Sequence, residues 1–486
     1  IYDCMVCAYL LEPLQDTYGY DYLLNRYFGI QIESGTELAG KKSMDGLAME
    51  EPDKLERILA SEALTAVMAG PELEKELKEK KMYDLYRQIE YPLIYVLDDM
   101  EKSGVKIDEQ ALKQYSDELA VKIHQIEQEI YAETGEEFNI NSPKQLGIIL
   151  FEKMGLKGGK KTKTGYSTSA EVLEKLAGDT PVVEKILEYR QLTKLKSTYA
   201  DGLRTFIAQD GRIHGTFNQT ITATGRISST DPNLQNIPIR MDIGKKIREV
   251  FIPKEDYHFV DADYSQIELR ILAHMSEDQH LIEAYNSEQD IHRITAAKVF
   301  HVPFEEVTPE LRRSAKAVNF GIVYGISSFG LSQDLDIDRK QAAEYINQYF
   351  ETYPKVKEFL DRMVENAKKD GYVTTIFGRR RPIPELKSSN FMQRSFGERA
   401  AMNSAVQGTA ADIMKIAMIR VYCRLKEEKL KSRLLLQVHD EILIETAPDE
   451  LEQVKEIVLH EMTGAAELSV RLEVGIECGM NWLEAH

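Results

Sequence analysis

The chain has 486 residues, of which 43% are hydrophobic, with four cysteines and a formal net charge of −19. This length predicts about three domains with sizeable cores. No apolar run is long enough to cross a membrane and no signal peptide is visible, so we expect a cytoplasmic protein with no membrane partner. The few cysteines fit a reducing compartment, and the net charge opposes nucleic-acid binding on average.

The N-terminal segment offers one candidate metal motif, which is weak. The chain begins at Ile1 inside what looks like an ordered segment, so we expect it to be part of a longer protein. Cys4 and Cys7 form a CxxC pair, but no second pair follows at zinc-like spacing. Buried free thiols are therefore the better interpretation.

The next hundred residues have a helical pattern. A long periodic run covers Glu109 to Tyr131, and Ser142 to Gln145 forms a capping box with Pro143 at the first helical position. Thr168 and Glu171 predict a second capping box.

Basic residues cluster without acids in three places, where they could follow a phosphate backbone while acidic faces keep the protein soluble. For the third cluster a solvated turn is an equal alternative. The clusters are Lys157, Lys160, Lys161 and Lys163; Lys245, Lys246 and Arg248; and Arg379, Arg380 and Arg381.

A carboxylate falls at a predicted strand-to-helix junction. The residues around Phe259 suit a buried strand that ends near Asp263, and helical spacing follows through Ile267. Ser265 and Glu268 match a capping box at the start of that helix. Taken alone, such an aspartate is more typical of a turn or cap than of a metal ligand.

One predicted helix carries two cations and two aromatic rings on a single face. Thr308 as N-cap, Pro309 at the first position and Gly325 as terminator define its ends. At about 3.6 residues per turn, four residues spaced four positions apart all lie on one face of the helix, within about 120°. Cations near the positive helix end suit phosphates, although solvated cations and core aromatics are an alternative. The four residues are Arg312, Lys316, Phe320 and Tyr324.

Two further motifs follow near the C-terminus. A polar stripe of Arg399, Asn403 and Gln407 lies on a helix predicted to begin near Ser395, with a plain solvent-facing stripe as the alternative. Apolar runs flank the residues 439–441 and predict a β-hairpin with Asp440 at its turn.

The two aspartates become informative as a pair. If Asp263 and Asp440 lie side by side, divalent cations would relieve their repulsion and support phosphoryl chemistry, with the ions about 3.5–4 Å apart. An acidic surface hairpin is the alternative for each site alone.

Together these motifs resemble those of family A DNA polymerases. Long matches include YSQIELR after Asp263, TATGRISSTDPNLQNIP at 222–238 and ERAAMNSAVQGTAAD at 398–412, and the resemblance covers about residues 90 to 486. It implies an α+β multidomain, right-hand polymerase fold with an antiparallel palm sheet, helical fingers and a helical thumb. The implied domains are a partial, degenerate 3′–5′ exonuclease-like domain at 1–85, the thumb at 86–205, the palm at 206–275 and 396–486, and the fingers at 276–395.

The resemblance implies a DNA-directed DNA polymerase of replication and repair, a monomer that binds primer–template DNA and deoxynucleoside triphosphates. Asp263, Asp440 and the carbonyl of Tyr264 would hold two Mg²⁺ ions, with Mn²⁺ as a substitute, and Lys316 would protonate the leaving pyrophosphate. Glu441 has no assigned role.

Further site residues come from the same resemblance. Glu268 with Tyr324 would crowd a ribose 2′-hydroxyl, in competition with the capping role of Glu268. Phe320 implies discrimination against dideoxynucleotides. The implied nucleotide-binding residues are Arg312, Lys316, Phe320, Tyr324, His292, Glu268 and Gln266, and the implied DNA-binding residues are Arg226, Gln235, Asn236, Arg399, Asn403, Gln407 and His439.

Residues 1–85 resemble the C-terminal part of the family's proofreading domain. Asp3 stands where one metal-binding aspartate would fall, but the early Asp-x-Glu pair is absent and SEALTAVMAG replaces the late Tyr-xxx-Asp pattern. A two-metal exonuclease cannot hold its ions without these carboxylates, so we expect no proofreading.

Three alternatives remain at this point: a single-subunit RNA polymerase, a two-metal nuclease and a non-catalytic DNA-binding scaffold. The pattern of Glu268 and Phe320 favours DNA synthesis over RNA synthesis. A nuclease has no need of the nucleotide helix, and a scaffold does not require both aspartates.

Overall fold

The computed structural model describes residues 2–159, 161–163, 165–178, 180–238, 242–287 and 289–486. Lys160 of the first basic cluster lies outside these ranges. The chain divides into two compact units, each built from three stretches of sequence. The first unit contains the chain up to Lys102 with 217–230 and 260–476, and the second contains 103–216, 231–259 and 477–486.

Helices dominate the described ranges, and none of them combines the length and apolar composition needed to span a bilayer. In chain order the α-helices are α1 (Cys4–Leu11), α2 (Tyr20–Phe28), α3 (Gly35–Ala39), α4 (Met44–Glu50), α5 (Pro52–Glu79), α6 (Tyr83–Leu85), α7 (Tyr91–Ser103), α8 (Glu109–Thr134), α9 (Pro143–Gly147), α10 (Ala170–Ala177), α11 (Pro181–Lys194), α12 (Asp242–Lys245), α13 (Ile267–Ser276), α14 (Gln279–Asn286), α15 (Ile291–Val299), α16 (Pro309–Val323), α17 (Ser328–Leu335), α18 (Arg339–Thr352), α19 (Pro354–Asp370), α20 (Phe391–Glu427) and α21 (Leu451–Thr463).

The strands are short and form one four-stranded sheet in the order β11-β12-β8-β13, one three-stranded sheet in the order β4-β1-β7, and three strand pairs. In chain order they are β1 (Val105–Ile107), β2 (Lys161–Thr162), β3 (Gly165–Tyr166), β4 (Arg212–Ile213), β5 (Thr216–Asn218), β6 (Ser228–Thr230), β7 (Phe251–Ile252), β8 (His258–Tyr264), β9 (Tyr372–Thr374), β10 (Arg380–Pro382), β11 (Arg433–Val438), β12 (Glu441–Thr446) and β13 (Val474–Gly479).

The predicted hairpin near the C-terminus is confirmed. Strands β11 and β12 pair in antiparallel register, with Val438 opposite Glu441, so that His439 and Asp440 form the turn. The backbone of His439 has a φ of +53°, a left-handed conformation typical of tight turns. Both strands are almost fully buried, which places the hairpin in the core of the first unit with its turn at the edge.

Helix α20 begins earlier than predicted. Asn390 caps it by accepting hydrogen bonds from the backbone N–H groups of Met392 and Gln393, so the first turn forms four residues before Ser395. Small side chains such as Ala401 and Ala405 are fully buried on its inner face, which allows close packing against neighbouring elements.

Two of the predicted capping boxes differ in detail. Ser142 caps α9 as expected, accepting from the Gln145 N–H, but the Gln145 side chain accepts from Asn139 instead of returning the bond. The second box is wrong, because α10 begins at Ala170 after Ser169 and the buried Thr168 contacts Arg190 instead. For Thr168 a more distant contact with Arg190 replaces the local pattern, whereas Gln145 bonds to a backbone N–H only six residues away.

The N-terminal segment packs into its own hydrophobic cluster around α1. Asp3 caps this helix by accepting from the Val6 N–H at 2.9 Å, which is a structural role for that carboxylate. Cys7 is buried and Cys4 half-buried, and both are free thiols. Burial raises the pKa of the Cys7 thiol to about 12, so it is inert at neutral pH.

Candidate active site

The two aspartates of the predicted metal site lie on neighbouring chain segments of the four-stranded sheet. Asp263 is next to last in β8 and exposed, and Asp440 is half-buried at the β11–β12 turn. The backbone N–H of Tyr264, directly after Asp263, donates to the carbonyl of Asp440 at 3.0 Å. This hydrogen bond brings the two positions together, although they are far apart in sequence.

The electrostatic surroundings of Asp440 favour a cation. Burial raises the pKa of the Asp440 carboxyl, the neighbouring Glu441 raises it further, and Arg226 opposes the shift. A raised pKa means that negative charge is costly at this position. Carboxylate and carbonyl oxygens are the donors that Mg²⁺ prefers, so Asp263, Asp440 and the Tyr264 carbonyl fit a divalent cation.

The sequence reasoning overlooked one acidic residue of this region. Asp261 precedes Asp263 by two positions on β8 and is buried, with 3% of its surface exposed. The D-x-D pattern of the strand could have indicated Asp261, because residues two positions apart in a strand point to the same face of the sheet.

Helix α16 matches the predicted nucleotide-binding helix closely. Thr308 caps it through the Leu311 N–H at 3.3 Å, with Pro309 at the first position. Arg312 and Lys316 are exposed and Phe320 is half-buried. The helix ends at Val323, so Tyr324 is its C-cap and not its last turn, and Gly325 follows with a φ of +65°.

Arg312 already has a carboxylate partner. Its Nε donates to Oδ2 of Asp290 at 2.6 Å, while Oδ1 of Asp290 caps helix α15 by accepting from the N–H groups of His292 and Arg293. The sequence motifs did not indicate Asp290, because an N-cap aspartate and an ion-pair partner look alike in sequence.

His292 is buried beside Phe320, with ring centroids 5.8 Å apart. Burial lowers the pKa of His292 to about 4. The side chain is therefore uncharged at neutral pH in the unliganded chain. Asn319 Nδ2 lies 3.0 Å from its Nδ1, which leaves the proton on Nε2 when the amide donates.

Glu268 links the end of helix α16 to the loop that carries Arg226. It is 5% exposed and accepts from Arg226 Nη2 at 2.6 Å and from the Tyr324 hydroxyl at 2.8 Å. The capping box predicted for Ser265 and Glu268 is wrong, because α13 begins after Gln266, whose φ is +54°. Burial raises the pKa of the Glu268 carboxyl against the lowering effect of Arg226.

The loop before Arg226 is tightly held. Thr222 Oγ1 donates to the Arg226 carbonyl at 2.6 Å, and Gly225 has a φ of +88°. Asp440 also raises the pKa values of Glu268 and Tyr324. Asp440, Arg226, Glu268 and Tyr324 therefore form one electrostatic cluster within the first unit.

The remaining predicted DNA-binding residues are distributed over both units. On α20, Arg399 is exposed and Asn403 and Gln407 are half-buried, and the turn residue His439 is exposed. Gln235 and Asn236 belong to the second unit, where the Asn236 carbonyl accepts from the Tyr199 hydroxyl at 2.6 Å. Gln266 is half-buried and accepts from the Tyr285 hydroxyl.

Two of the basic clusters contain a buried arginine. Arg379 is 4% exposed and pairs with Glu90 and Asp412, so neither a contact with a phosphate backbone nor a solvated turn describes it. Arg248 is 2% exposed and stacks over the Trp482 ring at 4.1 Å. By contrast, Lys157, Lys161 and Lys163 are exposed as predicted.

Comparison with known proteins identifies the family. The profile of DNA polymerase family A matches residues 109–484. DNA polymerase I of Caldicellulosiruptor bescii is 51% identical over 483 residues, covering 99% of this chain and 55% of the relative. DNA polymerase I of Bacillus subtilis is 49% identical over 487 residues, covering 100% of this chain and 55% of the relative. The chain belongs to DNA polymerase family A.

The solved structures agree with this assignment. The POL domain of Pol1 from M. smegmatis, in complex with DNA primer-template and dNTP, has a TM-score of 0.90 at 41% identity and covers 99% of this chain and 82% of that chain. This likeness confirms the predicted α+β polymerase fold. The chain spans about half the length of the DNA polymerase I relatives named above.

Proposed function

We propose that this chain catalyses template-directed extension of a DNA primer, adding deoxynucleotides to the 3′-hydroxyl with release of pyrophosphate. The supporting observation is the clustering of Asp440, Arg226, Glu268 and Tyr324 at the end of helix α16, next to the strand that carries Asp263. Such a cluster can hold the primer 3′-hydroxyl and the incoming deoxynucleotide. Membership of the family supports the same reaction.

Two divalent cations, Mg²⁺ or Mn²⁺, complete the proposed site. Asp263, Asp440 and the Tyr264 carbonyl would bind them. Burial raises the pKa of Asp440, and a bound cation would offset the cost of ionising this carboxyl. When bound, such ions lower the pKa of the attacking hydroxyl and stabilise charge on the triphosphate.

The nucleotide would lie along helix α16. Arg312 and Lys316 would bind its phosphates, and Lys316 would protonate the leaving pyrophosphate. His292, being neutral, would donate a hydrogen bond rather than a charge. Phe320 would stack on the sugar and base, and the pair of Glu268 and Tyr324 would exclude a 2′-hydroxyl, with Gln266 nearby.

The DNA would be bound without reading its sequence. Arg226 would contact the minor groove at the primer end, where every base pair offers an acceptor, together with Gln235 and Asn236. His439 and the polar stripe of α20, formed by Arg399, Asn403 and Gln407, would contact template and primer.

The remaining proposals follow the family resemblance. The domain limits proposed from the sequence are 1–85, 86–205, 206–275, 276–395 and 396–486 for the exonuclease-like segment, thumb, palm, fingers and palm. A monomer that acts in the bacterial cytoplasm, in DNA replication and repair, without proofreading, fits these assignments.

Extension of a labelled primer–template with Mg²⁺ and four deoxynucleotides tests the proposal. Asp440→Ala should lower the rate roughly a thousandfold, because the lost metal ligation is worth several kcal/mol and each factor of ten costs about 1.36 kcal/mol. Asp449→Ala, which removes an exposed carboxylate paired with Lys431, is the control and should keep the wild-type rate. A wild-type chain that binds primer–template without extending it would instead be a DNA-binding scaffold.

A further inference from the structure

Helix α1 contacts the loop that carries Arg226. Tyr9 is 1% exposed, and its hydroxyl donates to the carbonyl of Thr222 at 2.6 Å. Helix α1 lies before the range that the family profile matches, residues 109–484. A segment outside the matched range therefore touches a loop of the candidate site directly.

The contact continues through the loop to the nucleotide helix. The Thr222 carbonyl that accepts from Tyr9 also accepts from the Gly225 N–H at 3.4 Å, and Thr222 Oγ1 donates to the Arg226 carbonyl at 2.6 Å. The Arg226 side chain then donates to Glu268, which also accepts from Tyr324. An unbroken series of hydrogen bonds thus runs from the N-terminal segment to the end of α16.

The opposite side of the loop is fixed by a buried charge cluster. A Cβ atom at Gly225 would lie 2.5 Å from Nε of Arg379, so the backbone passes directly against that side chain. Gln219 Nε2 donates to the Glu90 carbonyl at 2.8 Å. These contacts would keep the loop folded if the Tyr9 hydrogen bond were lost, so that only its alignment would change.

We propose that Tyr9 is a positioning residue for the primer end, and that the exonuclease-like segment thereby serves the polymerase site. The Tyr9 hydroxyl fixes the Thr222 carbonyl, and this in turn fixes the position from which Arg226 reaches the primer. The effect on the primer rests on the proposed function of Arg226. The hydrogen bond by which Tyr9 holds the Thr222 carbonyl does not depend on that function.

Tyr9→Phe in the full chain removes the hydroxyl and keeps the ring. We expect kcat/KM for primer extension to fall by up to about fivefold, the limit reached if the whole worth of one buried hydrogen bond goes into aligning Arg226. In an Arg226→Ala background the same substitution should have almost no effect, because Tyr9 acts through Arg226. Amide hydrogen exchange at 222–226 should become faster in Tyr9→Phe.

Tyr18→Phe is the matched control. The Tyr18 ring packs edge-on against Tyr9, and its hydroxyl donates to the Glu12 carbonyl at 2.8 Å, so the variant loses a similar bond in the same segment. Equal losses of extension in the two variants, or a full Tyr9→Phe effect without Arg226, would overturn the proposal. If the wild type does not extend primers, the proposed function fails. Unchanged amide hydrogen exchange at 222–226 in Tyr9→Phe would separately disprove the role of Tyr9.

Discussion

At the scale of single residues, the ion pair of Arg312 and Asp290 sets a condition on nucleotide binding. A triphosphate that binds Arg312 must compete with a carboxylate that already accepts from its guanidinium at 2.6 Å. The side chains of the pair are partly exposed, so solvent screening keeps the competition modest in energy. It nevertheless involves the guanidinium that would bind the phosphate under the proposed function.

Asp290→Asn should therefore lower the KM for deoxynucleotides, by roughly twofold to fivefold for a pair worth less than about 1 kcal/mol. Asparagine keeps the acceptor that caps α15, so the helix should remain intact. Steady-state primer extension measures the change. Asp338→Asn, an exposed N-cap of α18 without an arginine partner in the described residues, should leave the KM unaltered.

Asp440 carries a pH dependence that can be separated from catalysis. Because folding raises the pKa of this carboxyl, the folded chain binds the proton more tightly than the unfolded chain. Its ionisation therefore destabilises the fold as the pH rises above the ordinary value of 3.8, and the penalty is complete above the folded pKa. Below pH 3.8 the carboxyl is protonated in both states, so it does not destabilise the fold.

Without divalent ions, Asp440→Asn should melt at a higher temperature than the wild type at pH 8, and the difference should shrink as the pH approaches about 4. Mg²⁺ should raise the melting temperature of the wild type more than that of the variant, since a ligand that binds only the folded state stabilises it. Identical melting curves at pH 8, or equal Mg²⁺ shifts, would contradict this account of the site.

At the scale of elements, the end of helix α16 depends on a close approach to α20. Gly325 has a φ of +65°, and a Cβ there would lie 3.1 Å from Cγ of Arg399. The glycine thus follows the C-cap of helix α16 and lets the chain pass close to Arg399 of α20. Gly371 ends helix α19 with a φ of +83° and has no atom within 4 Å of its would-be Cβ.

These two glycines form a matched pair for a test. Each alanine substitution should lower the free energy of unfolding by about 1 kcal/mol through the left-handed backbone alone. Only Gly325→Ala should also displace Arg399 and reduce primer extension. Chemical denaturation and extension assays on both variants would check this, and equal activities would argue against a coupling of α16 to α20.

At the scale of the whole molecule, a buried charge cluster joins parts of the first unit that are distant in sequence. Glu90, next to the N-terminal segment, pairs with Arg379 and with Lys415 of α20, and Arg379 also pairs with Asp412. Burial by itself would raise the pKa of Glu90, but Arg379 and Lys415 lower it to about 2. The carboxylate is therefore ionised and fully committed to its partners.

Glu90→Gln should lower the free energy of unfolding by about 3–5 kcal/mol, because it leaves the two buried cations Arg379 and Lys415 with Asp412 as their one remaining carboxylate in the cluster. Asp449→Asn, which breaks the exposed pair with Lys431, should cost less than about 1 kcal/mol. Urea denaturation of both variants measures the contrast. Similar losses for the two would mean that the cluster is solvated in solution.

The local pattern was sufficient for helix α16 and for the hairpin at Asp440. Caps, proline and a four-residue repeat depend only on neighbours in sequence, and the structure contains them at the predicted places apart from Tyr324, which caps the helix. The same local rules were wrong for Ser265 with Glu268 and for Thr168. In both cases a distant partner takes the side chain that the capping box would use.

Local sequence was therefore enough to predict helix α16, the hairpin at Asp440 and the order of the motifs, because periodicity and spacing are properties of neighbouring residues. The family and the class of fold followed from the resemblance of those motifs to a known family. The neutral state of His292, the burial of Arg379 and the hydrogen bond from Tyr9 to the loop of Arg226 became visible only in the folded chain. Burial and partner choice depend on residues hundreds of positions away, and desolvation sets both the charge of a group and the strength of its contacts.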